Sequence, residues 1–413
     1  MNDADLPSVD LPRRALGGRY ECLAGVTVLD LTTSLAGPYA SLLLADLGAE
    51  VIKVERPGIG DDSRYWRPPA IGDTSLWFAS VNRNKKSIEL DYASERGREI
   101  LHRLVEKSDV LLSNQLPRVR KKLRIEYKDL AAVNRQLIYA SVTGFGTDNE
   151  REDWPCYDLI AEGYSGVMDL TGEADGPPQK IGTPAADLLS GMDAAMGALA
   201  ALLERSRTGK GKYIDVSLTE SMTRFMTPRL QSYLGSGDLP RRSGARDSVI
   251  AVYQVFYTSD HPITLGLAND NVWRRFCEIT GRSDWLKADA FRDNASRVAQ
   301  RAYLVEEISR TLAERPAAHW LRLFRENGVP AGPINRLDQL AQDPVLRERE
   351  FFYTLETDDG PLPQIGLGIR MDQQPSGTES LPPRLGEHTK QILADMLGLS
   401  EREIDTLKGE NVI

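Results

Sequence analysis

Short apolar runs and amphipathic segments alternate along the first third of the chain. Apolar runs at 26–31 and 51–55 predict two strands. The helical pattern between them, at 39–47, ends before Gly48, a residue type typical of helix C-termini. Further strands are predicted at 87–90, 110–112 and 137–142, and a further helix at 95–107. This alternation predicts an α/β fold with a Rossmann-like, doubly wound parallel sheet.

The longest helical pattern runs from 187 to 205 and contains seven large apolar residues at helical spacing. These residues predict the buried face of the helix: Leu188, Leu189, Met192, Met196, Leu199, Leu202 and Leu203. A strand at 213–218 and a helix at 220–230 are predicted to follow it.

The composition shifts to Gly, Ser, Pro and Arg at 234–247, which predicts a linker. Beyond it, strands are predicted at 249–257, 263–267, 351–355 and 366–371, and helices at 272–280, 297–314, 318–327, 388–397 and 401–408. A chain of 413 residues exceeds what one hydrophobic core usually serves. The predicted organisation is a tail at 1–18, the first part of a large domain at 19–225, a linker at 226–247, a small α/β domain at 248–330, and completion of the large domain at 331–413.

The net charge of −9 and pI near 5.3 argue against nucleic acid or an anionic membrane as the main partner. Three distant cysteines and four scattered histidines predict neither a disulfide framework nor a protein-bound metal. The first 18 residues lack the apolar core of a signal peptide, and the most apolar helical stretch, 194–203, is shorter than the ~20 residues of a membrane span. We therefore expect a soluble, cytoplasmic protein with no membrane partner.

The chain lacks several known catalytic and phosphate-binding motifs, and their absence limits the residue types that could carry out covalent chemistry. The loop at 32–38 lacks GxGxxG, and the chain has neither a GxxxxGK[ST] loop nor a GxSxG elbow. Covalent chemistry would then use a carboxylate, lysine, serine or tyrosine. Asp187 opens the long helix, where free N–H groups and the helix dipole favour an anion. The same position is typical of a helix N-cap, and spacing alone favours that interpretation.

Several segments, taken in their order and spacing, resemble the class III CoA-transferase family, of the formyl-CoA and carnitine-CoA transferase type. The resemblance runs from about Leu23 to the end of the chain. It rests on Ala36-Gly37-Pro38, 47–56, 82–88, Tyr157-Asp158, 165–166, 171–172, 175–178, Asp187 with Gly191, 208–211, 328–334 and 385–389. It implies a large Rossmann-like domain built from both chain ends, a small inserted α/β domain, and an interlinked homodimer.

The resemblance also implies chemistry. It places the catalytic nucleophile at Asp187, which would form an aspartyl anhydride and then an aspartyl-CoA thioester while CoA passes between two carboxylic acids. An acyl-CoA and a small acid would be the substrates, and no tightly bound cofactor is expected. The implied CoA contacts are Leu35, Ala36, Arg56, Leu90, Asp91, Asn114, Lys122 and Tyr157.

The chain departs from the family at several positions. Acyl-CoA racemases carry a histidine where this chain has Tyr157, and because tyrosine ordinarily titrates near about pH 10, transferase activity is favoured over racemase. Leu35 replaces the glutamine of formyl-CoA transferase, which puts formyl and oxalate specificity in doubt. By overall similarity the chain most resembles the succinyl-CoA-using dicarboxylate branch. The segment 113–122 is unusually basic, and Arg246-Asp247 replaces a small residue and a histidine. The alternatives are a racemase-like isomerase and a non-catalytic CoA-binding subunit of a hetero-oligomeric transferase.

Overall fold

Six parallel strands form the central sheet of the larger of two units in the computed structural model, which describes residues 9–413. The strands are β1 (Thr27–Asp30), β2 (Glu50–Glu55), β3 (Lys85–Glu89), β4 (Val110–Ser113), β5 (Ile138–Thr143) and β6 (Lys212–Ser217). Their order across the sheet is β3-β2-β1-β4-β5-β6, and every neighbouring pair is parallel. This is the doubly wound order 3-2-1-4-5-6, so the predicted Rossmann-like parallel sheet is confirmed.

Helices cover the sheet because their apolar stripes need a buried surface. Four helices are used repeatedly below: α1 (Ala36–Asp46), α2 (Asp158–Ser165), α3 (Ala185–Thr208) and α4 (Thr227–Ser236). Apart from α1, α2 and α3, the larger unit contains the helices Leu76–Asn82, Glu95–Glu106, Pro117–Leu123, Tyr127–Val133, Leu218–Phe225, Pro344–Glu348, Thr389–Leu397 and Glu401–Gly409. Val167–Leu170 and α4 lie almost entirely in the smaller unit. Antiparallel pairs complete the larger unit: Ala70–Ile71 with Thr74–Ser75, Phe352–Thr357 with Gly360–Ile365, and Arg370–Met371 with Gln374–Pro375.

The smaller unit comprises Met168–Lys180 and Pro228–Leu340 and has its own core. It therefore contains the predicted small domain and much of the stretch predicted as a linker. Its antiparallel sheet consists of β7 (Tyr253–Tyr257), β8 (Pro262–Gly266) and β9 (Ala331–Pro333), in the order β9-β8-β7. Its helices beyond α4 are Asp270–Ile279, Asn294–Ala299, Arg301–Ala313, Ala317–Glu326 and Leu337–Ala341.

Four predicted elements need correction. The helix predicted at 297–314 is two helices, Asn294–Ala299 and Arg301–Ala313. The helix predicted at 220–230 is two helices, Leu218–Phe225 and α4, and α4 continues into the predicted linker. The strand predicted at 249–257 begins only at Tyr253, because Asp247 accepts hydrogen bonds from the backbone N–H groups of the next residues and holds them in a turn. Of the strand predicted at 366–371, only Arg370–Met371 pairs as a strand.

Helix α3 buries a different face from the predicted one. Met192, Met196 and Leu203 are 50%, 60% and 66% exposed. The buried positions are small: Ala185, Ala186, Ser190, Gly191, Ala194, Ala195, Ala198 and Ala201. A Cβ at Gly191 would lie 2.6 Å from the carbonyl oxygen of Ala36, so the small residues let α1 and α3 approach closely. Of the seven large apolar residues, the two methionines and Leu203 are exposed, and the remaining four leucines are half-buried.

By length and composition alone, α3 is long and apolar enough to cross a membrane, and it is the only such helix within residues 9–413. It is longer than the apolar stretch at 194–203. In the larger unit it packs on α1, β5 and β6. The expectation of no membrane partner stays a prediction.

Four fully buried charged residues cross-link the carboxyl end of the sheet. Lys53 Nζ lies 2.8 Å from Asp61 Oδ2 and donates to the Thr32 carbonyl oxygen at 2.8 Å. Lys85 Nζ lies 3.2 Å from Asp30 Oδ2 and also donates to a carbonyl oxygen and an amide oxygen. Burial favours uncharged forms, yet Lys53 and Lys85 hold the pKa of Asp30 well below its usual range. The charges therefore compensate one another inside the core.

The Lys53→Met substitution should lower the free energy of unfolding by about 3–5 kcal/mol, because it leaves the buried Asp61 carboxylate without its cation. The matched control is Lys86→Met, which removes a half-exposed partner of Glu50 and should cost less than about 1 kcal/mol. Urea denaturation of both variants measures the difference. Equal losses would contradict a structural role for the buried pair.

Candidate active site

A cavity of about 270 Å³ lies at the carboxyl end of the central sheet. Thr33 and Ser34 follow β1, Asn114 follows β4, and Thr143 ends β5. After β1 the chain continues toward one edge of the sheet, to β2, and after β4 it continues toward the other edge, to β5. The cavity therefore lies at the switch point where doubly wound sheets bind ligands.

The loop after β1 is held in place by side chains from two other segments. The Asn114 side chain accepts from Thr33 N at 3.1 Å and donates to Thr33 O at 2.8 Å. The backbone N–H of Ser34 donates to Asp61 at 3.0 Å, and Ser34 adopts a φ of 70°, which is uncommon for a residue with a side chain. Asp61 is the partner of buried Lys53, so the charged core fixes one wall of the cavity.

Asp187 is the third residue of α3, and it does not cap the helix. Pro184 is the N-cap residue, and the N–H groups of Ala186 and Asp187 donate to Asp158 Oδ1 at 2.8 and 3.2 Å. Asp158 therefore takes the helix-end donors that the sequence analysis assigned to Asp187.

The sequence predicts that the helix end stabilises the anionic form of Asp187. The structure shows the opposite, because the pKa of Asp187 is raised. Burial, together with repulsion from Asp158, raises the pKa of Asp187 to about 7. Burial and the Asp187 charge also raise the pKa of Cys156 to about 11, so the neighbouring thiol stays protonated near neutral pH. A carboxyl group with a pKa near neutrality can be populated as an anion while retaining the basicity that favours nucleophilic attack.

Helix α1 presents its N-terminus to the same cavity. Leu35 is its N-cap residue and Ala36 its first residue; both line the cavity, and the Leu35 side chain makes no capping hydrogen bond. The first helical N–H groups are intrinsically unpaired within a helix, and the third position is Pro38, which has none. The arrangement provides backbone donors and a positive dipole end close to a carboxyl group, which is suited to stabilising an oxyanion.

The structure brings together five of the residues singled out from the sequence: Leu35, Ala36, Asn114, Tyr157 and Asp187 all line this cavity. Tyr157 is 74% exposed and immediately precedes α2.

The other four predicted contacts do not line the cavity. Arg56 lies beside it, bound at 3.1 Å to Asp62, which does line it. Lys122 is exposed on helix Pro117–Leu123. Leu90 is 1% exposed in the core, and Asp91 accepts from Ala93 N at 3.1 Å. Their assignment as CoA contacts stays a prediction.

Sequence reasoning missed several lining residues, among them Trp66, Cys156 and Thr143. A Cβ at Gly144 would lie 2.1 Å from Cys156 Cβ, so this glycine lets the Cys156 segment approach the end of β5, a contact that only the tertiary structure shows. Trp66 follows a short 3₁₀ helix, Asp62–Tyr65, whose position depends on tertiary contacts. Among residues 9–413, no three His, Cys, Asp or Glu side chains form a group able to hold a metal ion.

The fold and this cavity define a Rossmann-like α/β enzyme with a partly buried carboxyl group at its switch point. Residues 23–389 match CoA-transferase family III, and the chain belongs to this family of CoA-transferases.

Three relatives illustrate the match. The chain is 38% identical to succinyl-CoA:glutarate CoA-transferase of Mus musculus, over 95% of this chain and 90% of that protein. It is 39% identical to acetyl-CoA:oxalate CoA-transferase of Acetobacter aceti, over 79% of this chain and 84% of that protein. A CaiB/BaiF family protein from Brucella suis has a similar crystal structure, with a TM-score of 0.78 and 36% identity over 90% of this chain and 98% of that one.

The Asp187→Asn substitution should raise the melting temperature at pH 8 by about 2–6 °C and change it little at pH 4. The folded protein keeps a proton on Asp187 up to a pKa of about 7, whereas an unfolded aspartate releases it near about pH 4. Stability is therefore lost as the pH rises through this interval, and asparagine avoids the loss.

The matched control on the same helix is Asp193→Asn. Asp193 pairs with Arg224 and accepts from Ser221 Oγ at 2.7 Å, so its loss should lower the melting temperature at pH 8. Thermal unfolding at both pH values measures the two effects. A stabilisation by Asp187→Asn that is equal at pH 4 and pH 8 would contradict the raised pKa.

Proposed function

We propose that this protein transfers coenzyme A from an acyl-CoA, with succinyl-CoA as the donor, to a small dicarboxylic acid through covalent intermediates on Asp187. The observation that carries the proposal is the position of Asp187, which lines the cavity at the switch point together with Leu35 and Ala36 at the N-terminus of α1. Membership of CoA-transferase family III and the named activities of the mouse and Acetobacter relatives support the substrate class.

In the proposed cycle, the Asp187 carboxylate attacks the thioester carbonyl carbon. The carbon–sulfur bond breaks, which leaves an aspartyl anhydride and free CoA thiolate. The thiolate attacks the aspartyl carbonyl of the anhydride, so that the donor acid leaves and an aspartyl-CoA thioester remains. The acceptor carboxylate attacks this thioester and releases thiolate, which captures the new acyl group and frees Asp187.

Each attack develops negative charge on a carbonyl oxygen. The backbone N–H groups at the N-terminus of α1 are the donors we assign to these oxyanions, and loss of one such donor costs about 3 kcal/mol of barrier in comparable enzymes. The anhydride is also open to attack by water. The partial burial that raises the pKa of Asp187 to about 7 limits that side reaction.

Recognition of CoA requires cations for its phosphates. We assign this role to Arg56 and Lys122. Arg56 forms an ion pair with Asp62, which lines the cavity, and Lys122 is exposed. Leu35, Ala36, Asn114 and Tyr157 would contact the pantetheine end next to Asp187.

We also propose that the protein is a cytoplasmic homodimer. Met192, Met196 and Leu203 are exposed on the outer face of α3. Burying these side chains against a second subunit would remove apolar surface from water, which favours association. The three cysteines, Cys22, Cys156 and Cys277, are all free thiols, as is usual in a reducing compartment.

Mixing the enzyme with acyl-CoA and then hydroxylamine should modify the peptide that contains Asp187, as detected by mass spectrometry.

Asp187→Asn should lower kcat by at least about 1000-fold, because an amide cannot form the anhydride. Below about pH 7 the wild-type rate should fall close to tenfold per pH unit, because a pKa of about 7 leaves the carboxyl group protonated.

The control for this experiment is Asp193→Asn, which should retain transfer activity. Label on another residue, or full turnover of Asp187→Asn, would exclude the proposed mechanism. Exchange of the α-proton of a branched acyl-CoA with deuterium at a catalytic rate, without an acceptor acid, would instead favour the racemase alternative.

Replacing Met196 with Glu should shift the protein from dimer to monomer in sedimentation velocity, because a charge would be buried in the proposed interface. The matched control is Met196→Leu, which keeps an apolar side chain of similar volume and should remain dimeric. A dimer that persists in Met196→Glu would place the subunit interface elsewhere.

A further inference from the structure

Helix α2 buries an acidic side chain and leaves large apolar side chains at the surface. Glu162 is fully buried, whereas Leu159, Ile160 and Tyr164 on the same helix are exposed. A buried carboxylate is costly unless it accepts hydrogen bonds or pairs with a charge. This orientation therefore indicates that the acidic residues of α2 bind specific partners inside the protein.

Two carboxylates of α2 bind the segment that leads into α3. At the end of this segment, the N–H groups of Ala186 and Asp187 donate to Asp158 Oδ1 at 2.8 and 3.2 Å. At its beginning, the N–H group of Ile181 donates to Glu162 Oε2 at 2.9 Å. Asp158 and Glu162 stand at positions i and i+4 of α2, so they lie on one face of the helix. The segment is therefore attached to α2 at both of its ends.

The segment has little support of its own. Gly182 and Thr183 are exposed and belong to no helix or strand. The N-cap residue of α3 is Pro184, which makes no side-chain capping hydrogen bond. The first N–H groups of a helix have no partner within that helix, so the start of α3 depends on acceptors from elsewhere. Helix α2 supplies these acceptors directly beside Asp187.

We propose that Asp158 and Glu162, together named the α2 clamp, hold the first turn of α3 so that the Asp187 carboxylate is positioned to attack the thioester. This inference rests on the proposed function and adds two positioning residues to it, since both act through Asp187. A simple helix cap would affect stability and leave turnover unchanged. The α2 clamp should in addition control kcat.

The charge of Asp158 adds a second effect on the same residue. Burial, together with repulsion from Asp158, raises the pKa of Asp187 to about 7, which keeps this carboxylate basic. The Cys156 thiol also lines the cavity, but burial and the Asp187 charge raise its pKa to about 11, so it adds no charge near neutral pH. Asp158 is therefore the neighbouring charge to change in a test.

The test compares the wild-type protein with Asp158→Ala, Asp158→Asn, Glu162→Ala and the matched control Asp343→Ala. Asp343 makes the same kind of cap elsewhere in the larger unit, because its Oδ1 accepts from the N–H groups of Val345 and Leu346, both at 3.0 Å. The readouts are kcat and KM with succinyl-CoA as donor and glutarate as acceptor, and the melting temperature.

Asp158→Ala and Glu162→Ala should lower kcat by about 10- to 100-fold and leave KM for succinyl-CoA within about threefold, because a misplaced nucleophile slows the chemical step. Asp343→Ala should lower the melting temperature and keep the wild-type kcat. A wild-type kcat in Asp158→Ala would overturn the proposal. If Glu162→Ala, which empties a buried position, does not fold, the Asp158 variants decide the outcome.

Asp158→Asn separates the hydrogen bonds from the charge. The amide oxygen can still accept the two N–H groups, so kcat should stay within about fivefold of the wild type. The acidic midpoint of the pH–rate profile should move down by about one pH unit, because the repulsion that raises the pKa of Asp187 is removed. An Asp158→Asn variant as slow as Asp158→Ala, with an unmoved midpoint, would contradict the α2 clamp.

A thermal double-mutant cycle tests the coupling without turnover. At pH 8, Asp187→Asn should stabilise the Asp158→Asn protein less than it stabilises the wild type, because less repulsion is left to relieve. If the wild-type protein forms no hydroxylamine-trapped adduct on Asp187, the proposed function fails whatever the cycle gives. If the adduct forms normally while the cycle shows no coupling and Asp158→Ala keeps its kcat, only the α2 clamp fails.

Discussion

The Lys53–Asp61 ion pair, fully buried at the carboxyl end of the central sheet, is the interaction on which the geometry of the site depends. Lys53 reaches from β2 to the carbonyl oxygen of Thr32, and Asp61 receives the N–H of Ser34, so one pair positions both ends of the cavity loop. A buried pair of this kind contributes little net stability compared with apolar packing, but breaking it is costly. Its effect is to specify one conformation for a loop that includes a residue with a φ of 70°.

The carboxyl group that we propose as the nucleophile has the opposite environment. Asp187 has no cationic partner among the causes of its pKa shift; burial and the nearby Asp158 both disfavour its charge. Asp158, in contrast, accepts two backbone N–H groups at the start of α3. Two aspartates that are close together thus have different environments: Asp158 holds the start of α3, and Asp187 is the proposed nucleophile. The difference is set by which of them accepts the helix-end donors. The raised pKa of Asp187 implies that the folded state is less stable at neutral pH than it would be with an uncharged residue there.

Several segments that carry the family resemblance have structural explanations. Gly37 and Gly191 leave no room for a Cβ, since such an atom would lie 2.4 Å from the Thr32 side chain and 2.6 Å from the Ala36 carbonyl oxygen. Lys53 and Lys85 belong to the buried charge cluster. These motif residues therefore contribute to the close packing of α1 on α3 and to a rigid cavity loop. Five of the predicted site residues line the cavity, while Leu90 is in the core.

The sequence by itself determined the parallel α/β sheet, because strands buried on both faces and amphipathic helices have distinct periodicities that local composition reveals. It also singled out Asp187 and the resemblance to CoA-transferases. Only the tertiary structure decided which face of α3 is buried, since Gly191 and the alanines matter through contact with α1, and hydrophobicity alone favours the leucines and methionines. The tertiary structure likewise decided the protonation of Asp187. A pKa depends on burial and on charges close in space, and Asp158 is 29 residues away along the chain.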